Sequence, residues 1–405
     1  MFSTQVYVNR RANLSKSVKS GVLLFIGNSE VGMNYPSNTY RFRQDSNFLY
    51  FFGLDEPDVA AVIDVESGEE IIFGNDVSID DIIWMGPQPA MKDKAAAVGV
   101  KKVLPHSHLA DYIGKAKSAG RKIHYLPPYR DDVKIMINRM LNIDFDAIKT
   151  GASEEFIKGV VALRELKEVC EIEEMDKAAD IGYMMHFTAM KMVKPVIIEQ
   201  ELVGIMEGIA ISNGTMPSFP IILSQNGETL HNHSHHQVLT DGRLLVIDAG
   251  AETNSHYASD FTRTLPSGGK FTSRQKDIYT IVSTANNLAK DMIRPGITYR
   301  EVHLAAVRVL AQGLINIGLM KGDTDEAVAA GAHALFMPHG LGHQMGMDVH
   351  DMEDLGENFV GYDNEHVRAT QFGLRSLRMG KMLKPGHVIT VEPGCYFIPA
   401  LIEKW

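Results

Sequence analysis

The sequence predicts a two-domain α/β protein, and three observations carry that prediction. At 405 residues the chain exceeds one ordinary core, since roughly 150 residues per domain is the usual measure. Up to about residue 155, short apolar runs alternate with helical or loop segments. Beyond it, long helical stretches are set among strand-like pieces, two of which end in a carboxylate.

In the first part, "GVLLFIGN" (residues 21–28), "VAAVIDV" (59–65) and "EEIIFGND" (69–76) are apolar runs bounded by Gly, Asn and Asp. That is the pattern of buried strands. From residue 153 to 194 the spacing predicts one long helix, because Leu163, Leu166, Cys170, Met175, Ala178, Ile181 and Met185 recur at intervals near three and four and Pro195 stops it. Two later helices are bounded by capping boxes, Thr272 with Gln275 and Thr298 with Glu301. Pro295 closes the first and Gly318 the second. Three further strands are expected, "SFPIILS" (218–224), "RLLVIDAG" (243–250) and "HVITVEPG" (387–394).

The totals exclude some classes. Hydrophobic residues at 45% and charged residues at 22% are the proportions of a globular protein. A formal charge of −10 argues against nucleic acid or an anionic membrane as a general partner. Cys170 and Cys395 are far apart and make no disulfide framework, so a reducing compartment is expected. The opening residues lack a signal-like apolar core, and no run approaches the roughly 18 apolar residues of a span. The expectation is a cytoplasmic protein.

Chemistry concentrates in "HGLGHQMGMDVHD" (residues 339–351), where three histidines and two aspartates are interleaved with three glycines. Each glycine would weaken a helix by about 1 kcal/mol, so an irregular or extended segment is expected. Such a backbone suits close approach to a ligand, with imidazoles for metal or protons. Asp248 and Glu392 each close a mainly apolar strand, where an ionised group is costly unless paired or bound to a cation. Asp260, twelve residues after Asp248, fits a hairpin that brings both carboxylates to one place. Two aspartates, a glutamate and a histidine suit divalent Mn, Co, Zn or Fe. Carboxylates this close repel one another, and two cations between them would let all stay ionised.

Four stretches, "VIDAG" at Asp248, "ASDFTRTLPSGGKFT" at Asp260, "MPHGLGHQMGMDVHD" at His343 and "ITVEPGCYF" at Glu392, resemble in order and spacing the metal motifs of the proline-specific pita-bread metallopeptidases. The nearest members are Xaa-Pro dipeptidase (prolidase) and aminopeptidase P. "YRFRQDSNFLYFFGLDEPD" (residues 40–58) resembles their amino-terminal domain. The resemblance implies an amino-terminal α/β domain of the aminopeptidase P type over residues 1–155 and a pita-bread (creatinase/aminopeptidase-like) α+β catalytic domain over 156–405.

By that resemblance, Asp248 holds a first metal, Asp260 bridges two, and His343 and Glu392 hold the second; Mn is the usual ion, with Co or Zn as alternatives. Glu392 also handles a proton, His339 hydrogen-bonds substrate or tetrahedral intermediate, His350 is a second proton-handling group, and His231 lines the substrate pocket. His233, His235 and His236 match nothing in the family and are assigned to a solvated loop. The implied reaction is hydrolysis of the peptide bond preceding proline, in Xaa-Pro dipeptides or longer proline-containing peptides, by a homodimer or larger assembly. Arg378 aligns with the arginine prolidase uses for the free substrate carboxylate, a task suited to a guanidinium fork. In the family a fifth ligand, a bridging glutamate, sits on a later strand in a motif like Arg-Ile-Glu-Asp. This chain ends at "IPALIEKW" before any such motif, and Glu403 is a poor substitute. The catalytic domain is therefore expected to lack its last strands, as in a truncated chain. The rival reading is an impaired enzyme or a non-enzymatic binding protein on the same fold; a metal-free creatinase-like hydrolase is a second rival, disfavoured by the ligand set.

Overall fold

The computed structural model describes residues 2–404. The chain divides into two compact units, residues 1–164 and 165–405.

The first unit is built on a mixed five-stranded sheet in the order Lys102–Leu104, Glu70–Phe73, Ala60–Asp64, Val22–Ile26, Ile123–His124. The three inner strands are antiparallel neighbours and the two outer ones pair in parallel. They coincide with the three apolar runs read from the sequence. Val22, Leu24, Val62, Ile71 and Phe73 pack on Ile113, Ile137 and Leu141 of two covering helices. Phe25 packs edge-on against Phe52 and Phe156.

The long helix expected over 153–194 is instead two helices, Glu154–Arg164 and Val169–Met192. The break has a nonlocal cause. The Glu165 carboxylate is held at 2.5 Å by Lys381 and at 3.1 Å by Lys384, while the Lys167 amide bonds the Gly386 carbonyl. Glu168 then caps the second helix through a reciprocal bond with Glu171. The earlier helix belongs to the first unit. A Cβ on Gly159 would lie 2.4 Å from Ser17 Oγ, and Arg164 bonds Asn47 at 2.6 Å. The division between units thus falls after Arg164 rather than at the expected 155/156.

In the second unit, a three-stranded antiparallel sheet runs in the order Phe261–Pro266, Leu244–Ala249, Ile222–Ser224. Leu245, Ile247 and Ala249 face the Val169–Met192 and Glu199–Asn213 helices and join Met185, Leu202 and Met206 in one core. The strand period of two then sends Val246 and Asp248 to the opposite face. Both capping-box helices form as expected, Ser273–Met292 and Tyr299–Asn316. Their apolar faces build a second core with Leu341, Leu377, Met379 and Leu383.

The strand expected over 387–394 is only partly realised. The segment is extended and runs antiparallel to 341–345, through Met345 N to Val388 O, Thr390 N to His343 O and Glu392 N to Leu341 O. The ladder stays one-sided, in part because His343 N donates to the Thr390 hydroxyl instead of to a carbonyl. No helix among the described residues is long and apolar enough to cross a membrane.

Candidate metal centre

Backbone pairing brings the acidic residues together. In the central strand Asp248 lies opposite Thr262, and Asp260 stands immediately before the Phe261–Pro266 strand. From the other side, the 341–345/388–392 pairing presents His343 and Glu392.

His343 Nε2 is 3.4 Å from Asp260 Oδ2 and 3.1 Å from Glu392 Oε1. One ligand-capable atom from each of Asp260, His343 and Glu392 lies within 4.8 Å of the others. Asp248 borders this triad: its Oδ1 is sealed from solvent with no hydrogen-bond partner. Burial first, then the neighbouring Asp260 and Glu392 charges, raises its pKa well above the carboxylate range, against an opposing hydrogen bond from Thr262. Burial works to deprotonate His343, but hydrogen bonds to Asp260 and Glu392 overcome it and lift its pKa to about 10. Burial of Glu392 is likewise outweighed by His343, and its pKa falls.

His343 thus meets two of the three carboxylates, Asp260 and Glu392, while Asp248 lies beside those two acids. With all three acids ionised, even a protonated His343 would leave the cluster two charges short of neutrality, and uncompensated charge away from water is expensive. Divalent cations are what such a set of hard and borderline donors accommodates. The orphaned Asp248 oxygen and the converging Asp260, His343 and Glu392 atoms fit such ions.

The glycines of the histidine segment answer to close approach. A Cβ on Gly342 would lie 2.2 Å from the Thr390 carbonyl oxygen, and one on Gly346 would lie 2.6 Å from Asp351 Oδ2 and 2.9 Å from Lys167 Cε. The first contact lets the two segments lie side by side at His343. The second seats the segment on the buried Lys167–Asp351 ion pair, 2.8 Å long.

Around the cluster, His350 stacks edge-on against His343 with ring centroids 4.2 Å apart. Its Nδ1 lies against both the Glu353 carboxylate and, at 3.2 Å, the Arg378 Nε–H, which leaves Nε2 facing away from that pair. His339 contacts the Gly340 carbonyl through Nδ1 at 2.7 Å and the Tyr396 hydroxyl through Nε2 at 3.2 Å. His231 is exposed, and its pKa is lowered by partial desolvation and by the charges of His233, His350, Arg378 and His339. Arg378 is 3.3 Å from Glu353 and 3.7 Å from Glu357.

Sequence reasoning missed Glu353, Glu357, Thr390 and Tyr396. Thr390 and Tyr396 flank Glu392 in the motif already read, so proximity was the available signal. Of the three histidines assigned to a solvated loop, His235 departs from that expectation: it is half-buried and its Nδ1 contacts the Leu223 carbonyl at 3.1 Å. Glu403 lies exposed after the short Pro399–Ile402 helix.

The model of metallopeptidase family M24 matches residues 173–405. The chain belongs to this family. Residues 7–124 match the aminopeptidase P amino-terminal domain, so the M24 chain has the two-part fold expected from the sequence. It is 28% identical to Xaa-Pro aminopeptidase of Escherichia coli over 98% of this chain and 88% of that protein. It is 30% identical to Xaa-Pro dipeptidase of Homo sapiens over 97% of this chain and 80% of that protein. A variant of Escherichia coli aminopeptidase P in complex with substrate superposes with a TM-score of 0.83 at 30% identity, covering 98% of this chain and 88% of that one. The zinc-substituted form of that enzyme with product superposes equally, at 29% identity. A metallopeptidase of this family is a hydrolase.

Proposed function

We propose that this M24 chain is a metal-dependent exopeptidase that hydrolyses the peptide bond preceding proline, with two divalent ions held by Asp248, Asp260, His343 and Glu392. The observation that carries the reading is the half-buried cluster in which two carboxylates converge on the buried His343 and a third, Asp248, keeps an unpartnered oxygen beside them. The similarity to both Xaa-Pro aminopeptidase and Xaa-Pro dipeptidase supplies the substrate class. Bound divalent ions, Mn by family habit and Co or Zn as alternatives, would polarise the scissile carbonyl and lower the pKa of the attacking water.

The chain's own groups divide the remaining work. Glu392, held by Thr390 Oγ1 at 2.9 Å, takes a proton from the attacking water and passes it towards the prolyl nitrogen. His339 is oriented by the Gly340 carbonyl and directs Nε2 at the substrate oxygen, exchanging its contact with Tyr396 for one to substrate. His350, oriented by Glu353, offers Nε2 as a second proton-handling atom. His231 lines the entrance.

The domain assignment, residues 1–155 and a catalytic part from 156, is proposed with its division moved to 164/165. A cytoplasmic setting is supported by the low cysteine content, two residues far apart in the sequence. Association into a homodimer or larger assembly is supported by exposed Ile79, Ile83, Trp84 and Met85 around one short helix.

The test is cleavage of Ala-Pro and Gly-Pro-Ala by the chain supplied with Mn, Co or Zn. Hydrolysis of at least one before the metal is chelated, and of neither afterwards or in Asp260→Ala, is the expected result. Cleavage of neither peptide under any metal overturns the proposal.

A further inference from the structure

We infer that Glu353 and Glu357 set the substrate length of this site by occupying Arg378, so that it selects peptides continuing beyond proline over Xaa-Pro dipeptides. The inference rests on the Xaa-Pro peptidase reading and deepens it.

Whatever enzyme removes a residue from a dipeptide must seat a free α-carboxylate one residue past the scissile bond. That carboxylate requires a cation with an open hydrogen-bonding edge. Arg378 is the guanidinium beside His343 and His350, in the pocket they line with Glu353 and Glu357. A guanidinium grips a carboxylate bidentately either through Nε and Nη2 or through Nη1 and Nη2. Both grips use Nη2. In this chain Nη2 faces Glu353 Oε1 at 3.3 Å, and Nε faces Glu357 Oε1 at 3.7 Å and His350 Nδ1 at 3.2 Å.

Charge accounting points the same way. Glu357 is also paired at 2.5 Å with Arg368, while Glu353 also contacts His350. Two carboxylates thus answer two guanidiniums, and Arg378 has no surplus positive charge to offer. An arriving carboxylate would have to displace Glu353 from the Nε–Nη2 edge or take the Nη1–Nη2 edge beside it, and either way would meet acids already paired with the guanidinium. A peptide that continues past proline presents an amide there, neutral and free of that conflict. In this chain Arg378 serves chiefly to hold Glu353, which in turn orients His350.

Kinetics on Ala-Pro, Ala-Pro amide and Ala-Pro-Ala provide the test, together with calorimetric binding of non-hydrolysable reduced-bond analogues of the first two. The chain is expected to favour Ala-Pro amide and Ala-Pro-Ala over Ala-Pro by about tenfold or more in kcat/KM, with the same order in binding. Glu353→Gln should narrow that ratio by a gain on Ala-Pro, chiefly in KM, and adding Arg378→Met should erase the gain. Glu357→Gln should narrow it less. Because the side chains of Glu353 and Arg378 are 41% and 32% exposed, both variants should fold, which thermal unfolding checks. Ala-Pro bound or cleaved as well as its amide, or a ratio unmoved by Glu353→Gln, overturns this inference alone. No cleavage and no analogue binding overturns it together with the peptidase reading.

Discussion

Asp64 and Asp248 occupy almost the same local sequence, VIDVE in one unit and VIDAG in the other, and each ends an apolar strand flanked by antiparallel neighbours. Their surroundings have opposite sign. Asp64 meets Arg121, which contacts both its oxygens, and accepts the Ser67 amide at 2.9 Å. The Arg121 hydrogen bond, opposed by burial, holds its pKa down at about 2. Asp248 meets Asp260 and Glu392, and its pKa rises well above the usual range. A strand-end aspartate is therefore uninformative until its partners are known; one answered by the protein's own cation is structural, and one answered by more carboxylates calls for a cation from outside.

Substitutions can break that contrast. Asp260→Ala removes the shared carboxylate and should cost more than the roughly 100-fold that outer-shell changes cost at metal sites, with metal content falling alongside, as peptide cleavage and elemental analysis will report. Next in size, Gly342→Ala drives a methyl against the Thr390 carbonyl, 2.2 Å from the new Cβ. The displaced His343 should lower activity by about 100-fold, and thermal unfolding should register a loss of about 1–3 kcal/mol.

The contrast is sharpest in a matched pair. Asp64→Asn should destabilise the chain by about 1–3 kcal/mol, since it takes from Arg121 its less exposed carboxylate and leaves only Glu66, yet leave metal content and kcat/KM intact. In the metal-free chain Asp248→Asn should instead stabilise, by about 1–2 kcal/mol, because it removes one of the mutually repelling acids. Opposite shifts in the two unfolding midpoints support the account; shifts of one sign count against it.

The smallest effect is on acid stability. Asp64 has a folded pKa near 2 against 3.8 when unperturbed, so the unfolded chain takes its proton first as pH falls. Its contribution, on the order of 2 kcal/mol, is complete above about pH 5 and lost as pH drops through 2. Hydrogen exchange across residues 60–67 should show that loss, and Asp64→Asn should flatten it.

Much of this was legible because it is encoded locally. The strands around Val22, Val62 and Ile71 follow from short apolar runs, and the helices after Thr272 and Thr298 from capping boxes that form as written. Asp248, Asp260, His343 and Glu392 could be named together because each closes or flanks a recognisable piece. What the sequence hid depends on partners far along the chain. Nothing near Glu165 indicates that Lys381 and Lys384 will interrupt a helix there. The apolar run at 387–394 gives no sign that a threonine hydroxyl will take the His343 amide. Glu353 was invisible for the same reason, since its meaning lies in Arg378, a residue that reads alone as an open carboxylate receptor.

Titrating the metal-free chain with Mn, by calorimetry and elemental analysis after dialysis, tests the central claim most directly. The account predicts uptake approaching two ions per chain with a raised unfolding midpoint, both lost in Asp260→Ala. No uptake, or uptake unchanged by that substitution, would contradict it.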